Sequence, residues 1–176
     1  IALVPREDRL VGPGSSPVMA AFTHTGFPSR FSDGSFGVYY AGLAIETAIR
    51  ETVHHRERFL ASTAEPACQL VMRQYISQVL KPLLDVRSHD ALHEPNDYFP
   101  SQQFARQQRQ ALCWGLHYRS VRHHGGECVA IFRPIALSPA TQGSHYAYYW
   151  DGKTIGDNVA RLEAACCGCF RERRSA

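Results

Sequence analysis

Arg30, Tyr40 and Glu51 stand ten and eleven residues apart in the stretch RFSDGSFGVYYAGLAIETAIRE. Each of the three types can do chemistry. A guanidinium fork matches phosphate oxygens two at a time. An aromatic ring offers a face to a flat cationic ring. A carboxylate stabilises positive charge that develops beside it. Each also has a plain reading. A lone helical glutamate is usually a solvated surface charge, a strand tyrosine is usually core, and an arginine after Pro-Ser is usually surface.

The local elements bring the three within reach of one another. Ser32, Asp33, Gly34 and Ser35 are turn formers, so Arg30 is expected at the edge of a flexible loop. Val38, Tyr39 and Tyr40 favour a short strand that Gly42 ends. Leu43 to Leu60 has no Gly or Pro and carries Ala44, Ile45, Ala48, Ile49 and Val53 at helical spacing. Glu51 falls on the face of Ala44 and Ala48. A carboxylate among small residues can look into a cleft without filling it, and Tyr40 at the strand end can line the same pocket.

Further along, Ser101 to Leu112 reads as a helix capped by Ser101, with Phe104, Ala105, Gln108 and Leu112 on its apolar edge. Gly115 to Tyr118 reads as a strand that delivers Arg119-Ser120, and His123 to Gly126 turns the chain. Ser120 lacks the G-x-S-x-G turn of a hydrolytic nucleophile, so it is a hydrogen-bonding candidate. Cys128 to Phe132 is a continuous apolar run and predicts a buried strand.

The remaining segments are more ordinary. Residues 1–17 read as a looping lead-in, and Pro17 to Phe22 as either a helical turn or a strand. Gln69 to Tyr75 and Tyr146 to Trp150 predict strands. Leu80 to Val86 holds a short extended piece, residues 88–100 a surface connection, and Val159 to Ala165 a short helix. Elements of both kinds in mixed order predict an α+β fold in one domain, with a split or strongly bent sheet.

Composition narrows the classes. At 176 residues the chain can bury a real core, and its net charge of +3 is mild. Nothing like the basic stripe of a nucleic-acid binder appears, so no direct nucleic-acid contact is expected. No apolar run is long enough to span a bilayer and no signal peptide opens the chain, so no membrane association and a cytoplasmic location are expected. The nine histidines include His54-His55 and His123-His124. Without H-E-x-x-H or paired CxxC spacing they predict no metal site. Cys68, Cys113 and Cys128 read as buried thiols, and Cys166, Cys167 and Cys169 cluster in the tail.

The segments SRFSDGSFGVYYAG, ETAIRET and YRSVRHHGGECVAIFRPIALSP resemble the RES domain family, named for an Arg, a Glu and a Ser. The opening VPREDRLVGPGSSPVMAAFTH resembles the lead-in of one RES subgroup. The resemblance covers most of residues 4–151. It divides the chain into a RES domain at 1–155 and a divergent tail at 156–176.

That resemblance implies an ADP-ribosyltransferase-like fold and an NAD-degrading toxin of a bacterial toxin–antitoxin pair. NAD is then the substrate, and water or inorganic phosphate the acceptor. The implied site is Arg30 on the pyrophosphate, Tyr40 on nicotinamide, Glu51 on the ribose, and Ser120 on phosphate or ribose. Arg122 or His123 would help to place phosphate. The implied partner is an Xre-type helix-turn-helix antitoxin. Family members carry a further arginine on a strand before the VP-x-x-DR segment. Here that segment begins at Val4, so this strand is expected to be lacking, with Arg9 in its place or the site incomplete. Two alternatives stay open: transfer of ADP-ribose to a protein, and an inactive fragment that only binds antitoxin.

Overall fold

The computed structural model describes residues 3–162. Strand β1 (Tyr39–Gly42) leads into the long helix α2 (Ile45–Ser62), as the apolar spacing requires. Upstream lies α1 (Ser15–Thr23). This settles the open choice at Pro17 in favour of helix. Pro17 sits in the first turn, where its missing N–H leaves no intrahelical bond unmade. Next come β2 (Cys68–Ile76), the two-residue β3 (Leu84–Asp85), α3 (Phe99–Gln110), β4 (Gly115–Arg119), β5 (Glu127–Ile131), β6 (Thr141–Trp150) and β7 (Val159–Leu162). The fold is α+β.

The strands form two sheets. One has the order β1-β5-β4-β3, and the other β2-β6-β7. In the first sheet β1 and β4 both pair antiparallel with β5, while β3 pairs parallel with β4. Tyr40 faces Ala130 and Gly42 faces Cys128 across β1 and β5, and Tyr118 also pairs with Cys128. Because alternate residues share a face, Tyr40, Gly42, Tyr118 and Cys128 all lie on one side. That side packs on Phe31, Val86, Leu92 and Ala105. The opposite side presents Val129 and Ile131 to Val18 and Phe22 of α1. Burial on both faces explains the unbroken apolar run from Cys128 to Phe132.

Helix α2 joins the two sheets. Val53 and Leu60 pack on Tyr148 and Trp150 of β6. Its first turn closes on β1, where Gly42 permits the approach. A Cβ on Gly42 would stand 2.6 Å from the Ala48 backbone nitrogen. The missing side chain is what lets Ala48, and Glu51 one turn later, reach the strand end.

Four expectations are corrected. Val159 to Leu162 is a strand on β6, not the start of a helix. The free edge of β6 supplies a partner that local sequence does not reveal, and the remainder of that expected helix lies outside the described residues. Ser101 does not cap α3. The helix starts at Phe99 with Pro100 in its first turn, and the buried Ser101 hydroxyl donates to the Tyr98 carbonyl at 3.1 Å. Leu112 lies beyond the helix end, exposed, with a left-handed φ of 58°. Among the cysteines Cys128 is buried, but Cys68 opens β2 at the surface. The tail cysteines fall outside the described residues. No described helix is long and apolar enough to cross a membrane.

Candidate active site

A cleft of about 390 Å³ opens on the Tyr40 side of β1, against α2. Its size is ordinary for a small-molecule site. Arg30, Tyr40 and Glu51 line it, joined by His55, Tyr98 and Tyr118. A larger crevice of about 470 Å³ lies between the two sheets, but none of its described lining residues is a carboxylate. The chemistry therefore selects the smaller one.

Arg30 is held by the loop that bears it. Phe31 is fully buried and its ring meets Tyr118 edge-on at 4.9 Å. This wedge fixes the backbone and leaves Arg30 only 7% exposed. The arginine is thus a wall of the cleft and not a flexible surface group. One terminal nitrogen donates to the Leu92 carbonyl at 3.2 Å and to the Glu94 carbonyl at 2.9 Å. The guanidinium lies 4.7 Å above the Tyr98 ring. Among the described residues no carboxylate pairs with it. Buried charges are as a rule paired. A guanidinium held by carbonyls and a ring still has N–H groups to offer an anion.

Tyr40 is fixed through its hydroxyl. The oxygen lies 2.8 Å from Ser29 Oγ and accepts from the Phe31 amide at 2.9 Å. Burial pushes its pKa up to about 12, so the phenol stays neutral and presents a ring.

Glu51 is fixed from behind. Ser120 Oγ donates to Glu51 Oε1 at 2.6 Å. The same Ser120 oxygen accepts from the amides of Arg122 (3.1 Å) and His123 (2.9 Å). A hydroxyl has one proton and two lone pairs, so Ser120 is fully committed. Its bonds in this structure orient the carboxylate and leave it no free bond for a ligand. Cys128 Sγ stands 4.0 Å from the same carboxylate oxygen. Burial, and then the Glu51 charge, push this thiol up to about 12, which keeps it protonated and no nucleophile.

The turn that carries Ser120 is locked in place. The Ser120 amide donates to the Gly126 carbonyl at 2.8 Å, and the Gly126 amide to the His123 carbonyl at 2.9 Å. Thr47 of α2, itself buried, meets His123 Nδ1 at 2.9 Å. His123 therefore bonds to the helix. A Cβ on Gly126 would lie 2.7 Å from both the His123 and Thr47 polar atoms. Gly126→Ala is expected to break that contact and destabilise the protein by about 1–3 kcal/mol. A thermal or urea melt that matches the parent would show that the contact carries no such constraint.

The sequence of the RES domain family matches residues 6–151. The chain belongs to the RES domain family. The match runs from a short helical turn at Arg6–Asp8 to the end of β6 and takes in Arg30, Tyr40, Glu51 and Ser120. No curated protein matches the chain.

Of the other candidate arginines in this RES domain, Arg6 and Arg9 fall elsewhere. Arg9 donates to the Val4 carbonyl at 2.9 Å, and Arg6 is exposed; neither lines the cleft. Arg122 does line it and donates to the Pro95 carbonyl at 3.0 Å. The Tyr98 platform under Arg30 went unnoticed in the sequence, because it lies in a polar, Pro-containing stretch that reads as a surface connection. Its partner is 68 positions upstream, and no spacing encodes such a pairing.

The histidines of α2 titrate below their usual range. Burial, aided by the Arg122 charge, lowers His54 from 6.5 to about 4. Its Nε2 is buried with no hydrogen-bond partner among the described residues. His55, one turn beyond Glu51, is also lowered, chiefly by desolvation against the cleft wall, although the residue as a whole is exposed. The unfolded chain takes up a proton near pH 6.5, while folded His54 resists it until about 4. Stability is therefore full above pH 6.5 and falls as the pH drops toward 4. His54→Leu is expected to flatten that slope in melts run from pH 7 to 5. An unchanged slope would place the acid sensitivity elsewhere.

Proposed function

We propose that this RES domain cleaves the N-glycosidic bond of NAD. The supporting observation is a pair of opposite charges facing one aromatic-walled cleft. Arg30 is a buried cation without a carboxylate partner among the described residues, and Glu51 is a carboxylate locked by Ser120. NAD carries the complementary charges, an anionic pyrophosphate and a cationic nicotinamide ribose.

Arg30 binds the pyrophosphate, and the rings of Tyr40 and Tyr118 border the nicotinamide. The bond between ribose C1′ and the nicotinamide nitrogen breaks, and its electron pair leaves with nicotinamide. Glu51 stabilises the oxocarbenium-like ribose that results. An acceptor oxygen then bonds to C1′. With water as acceptor, a proton is released and ADP-ribose forms. With inorganic phosphate, the product is its 1″-phosphate. Arg122 at the cleft margin is the group suited to hold that phosphate.

The reading extends to setting and fold. The chain acts as the toxin of a bacterial toxin–antitoxin pair, in the cytoplasm, countered by an Xre-type antitoxin. The two sheets joined by α2 support an ADP-ribosyltransferase-like arrangement. The deciding experiment is a time course of NAD with purified protein, with and without phosphate. Loss that depends on phosphate identifies a phosphorylase, and loss without it a hydrolase. Label from NAD appearing on protein would redirect the reading to ADP-ribosyl transfer. Unchanged NAD would overturn it.

A further inference from the structure

Phe27 stands at the cleft rim with 86% of its surface exposed. The tyrosines of the lining are each engaged. Tyr118 is buried, Tyr40 is tied through its hydroxyl, and Tyr98 carries Arg30. Among the described lining residues, Phe27 is the one exposed phenylalanine or tyrosine, and the imidazole of His55 is the other exposed ring.

The loop that offers this ring is braced. The Gly26 amide donates to the Gly34 carbonyl at 2.9 Å, and the Ser29 amide to the Ser32 carbonyl at 2.7 Å. Ser32 Oγ donates to the Phe36 carbonyl at 2.6 Å and accepts from the Gly34 amide at 3.0 Å. Asp33 pairs with Arg106 of α3. The Gly34 turn lies flush against the Phe27 backbone: a Cβ there would meet Phe27 N and C at 3.2 Å. A ring kept in water by so many backbone bonds is held ready for a partner.

The cleft's contents suggest which partner. A dinucleotide has two heterocycles. With its anomeric carbon at Glu51, nicotinamide occupies the interior. A cleft of about 390 Å³ does not also enclose the adenosine half, which must pass the rim. We infer that Phe27 is the platform on which the adenine of the dinucleotide stacks, and that it makes the site select dinucleotides over nicotinamide mononucleotide. This rests on the cleft being the NAD site. Stacking on an aromatic ring needs no particular hydrogen-bond pattern on the base, so the selection is for a second base and not for its identity.

The test uses Phe27→Ala and Phe27→Trp in the full chain. Exposure of the side chain makes both substitutions compatible with folding. Phe27→Ala is expected to raise KM for NAD about tenfold with kcat within twofold. Phe27→Trp restores it. Affinity for nicotinamide mononucleotide, read by calorimetry, stays unchanged in both. An unaltered KM for NAD, or an equal loss of affinity for both ligands, would overturn the assignment. If the parent protein cleaves no NAD, the proposed reaction fails, and calorimetry with ADP-ribose still decides the platform. Tenfold weaker binding by Phe27→Ala upholds it. Equal affinity, or no binding by the parent, overturns it.

Discussion

Glu51→Gln is expected to slow NAD cleavage by about 10³-fold while leaving the fold intact. The amide is nearly the size of the carboxylate, and its oxygen can still accept the Ser120 proton that Oε1 receives at 2.6 Å. What it lacks is the negative charge that the proposed cleavage places opposite the developing oxocarbenium ion. Removing one preorganised electrostatic contact of this kind costs about 10²–10³ in rate. The check is single-turnover kinetics beside ADP-ribose affinity. Loss of rate with affinity retained assigns Glu51 to the transition state. A variant that cleaves NAD at the parent rate would remove Glu51 from the chemistry. Ser120→Ala separates positioning from charge: the carboxylate remains but loses its fixed donor, so a smaller fall in rate is expected.

The second large effect concerns Arg30. Arg30→Gln is expected to raise KM for NAD by about 10–100-fold, the range of one or two charge-assisted hydrogen bonds to phosphate. It also removes the buried cation that no described carboxylate balances. Inorganic pyrophosphate is therefore expected to raise the melting temperature of the parent, because an anion that binds only the folded state stabilises it. The variant should show little of this rise. Equal stabilisation of both proteins by pyrophosphate would mean that the anion binds away from Arg30. Arg30→Ala is a poorer probe, since it also leaves the Leu92 and Glu94 carbonyls without their donor.

These two residues differ in how readily the sequence reveals them. Glu51 was legible as a cleft residue because its surroundings are local. Ala48 precedes it by one helical turn, and Gly42 ends the strand just before, so strand, glycine and helix together predict a carboxylate near a strand end. Arg30 was legible only as a type of residue. Turn formers follow it, and a loop arginine is ordinarily solvated. Its burial comes from carbonyls 62 and 64 positions away and from the Tyr98 ring. Ser120 shows the same limit. Its bond to Glu51 crosses 69 positions, and the two amides that fill its lone pairs depend on how the turn closes.

The sequence by itself determined the elements whose cause is short-range. The apolar spacing of α2, the continuous run of β5, the break at Gly42 and the turn at Gly125-Gly126 each follow from side-chain period or backbone freedom. Tertiary structure decided what those elements meet. It turned Val159 to Leu162 into a strand by offering the free edge of β6. It made a platform of Tyr98, committed Ser120 to Glu51, and left Arg30 buried without a described counter-charge. The physical reason is range. Period and turn propensity act over a few residues, whereas a cleft is closed by contacts between segments that only the packed sheets and α2 bring together.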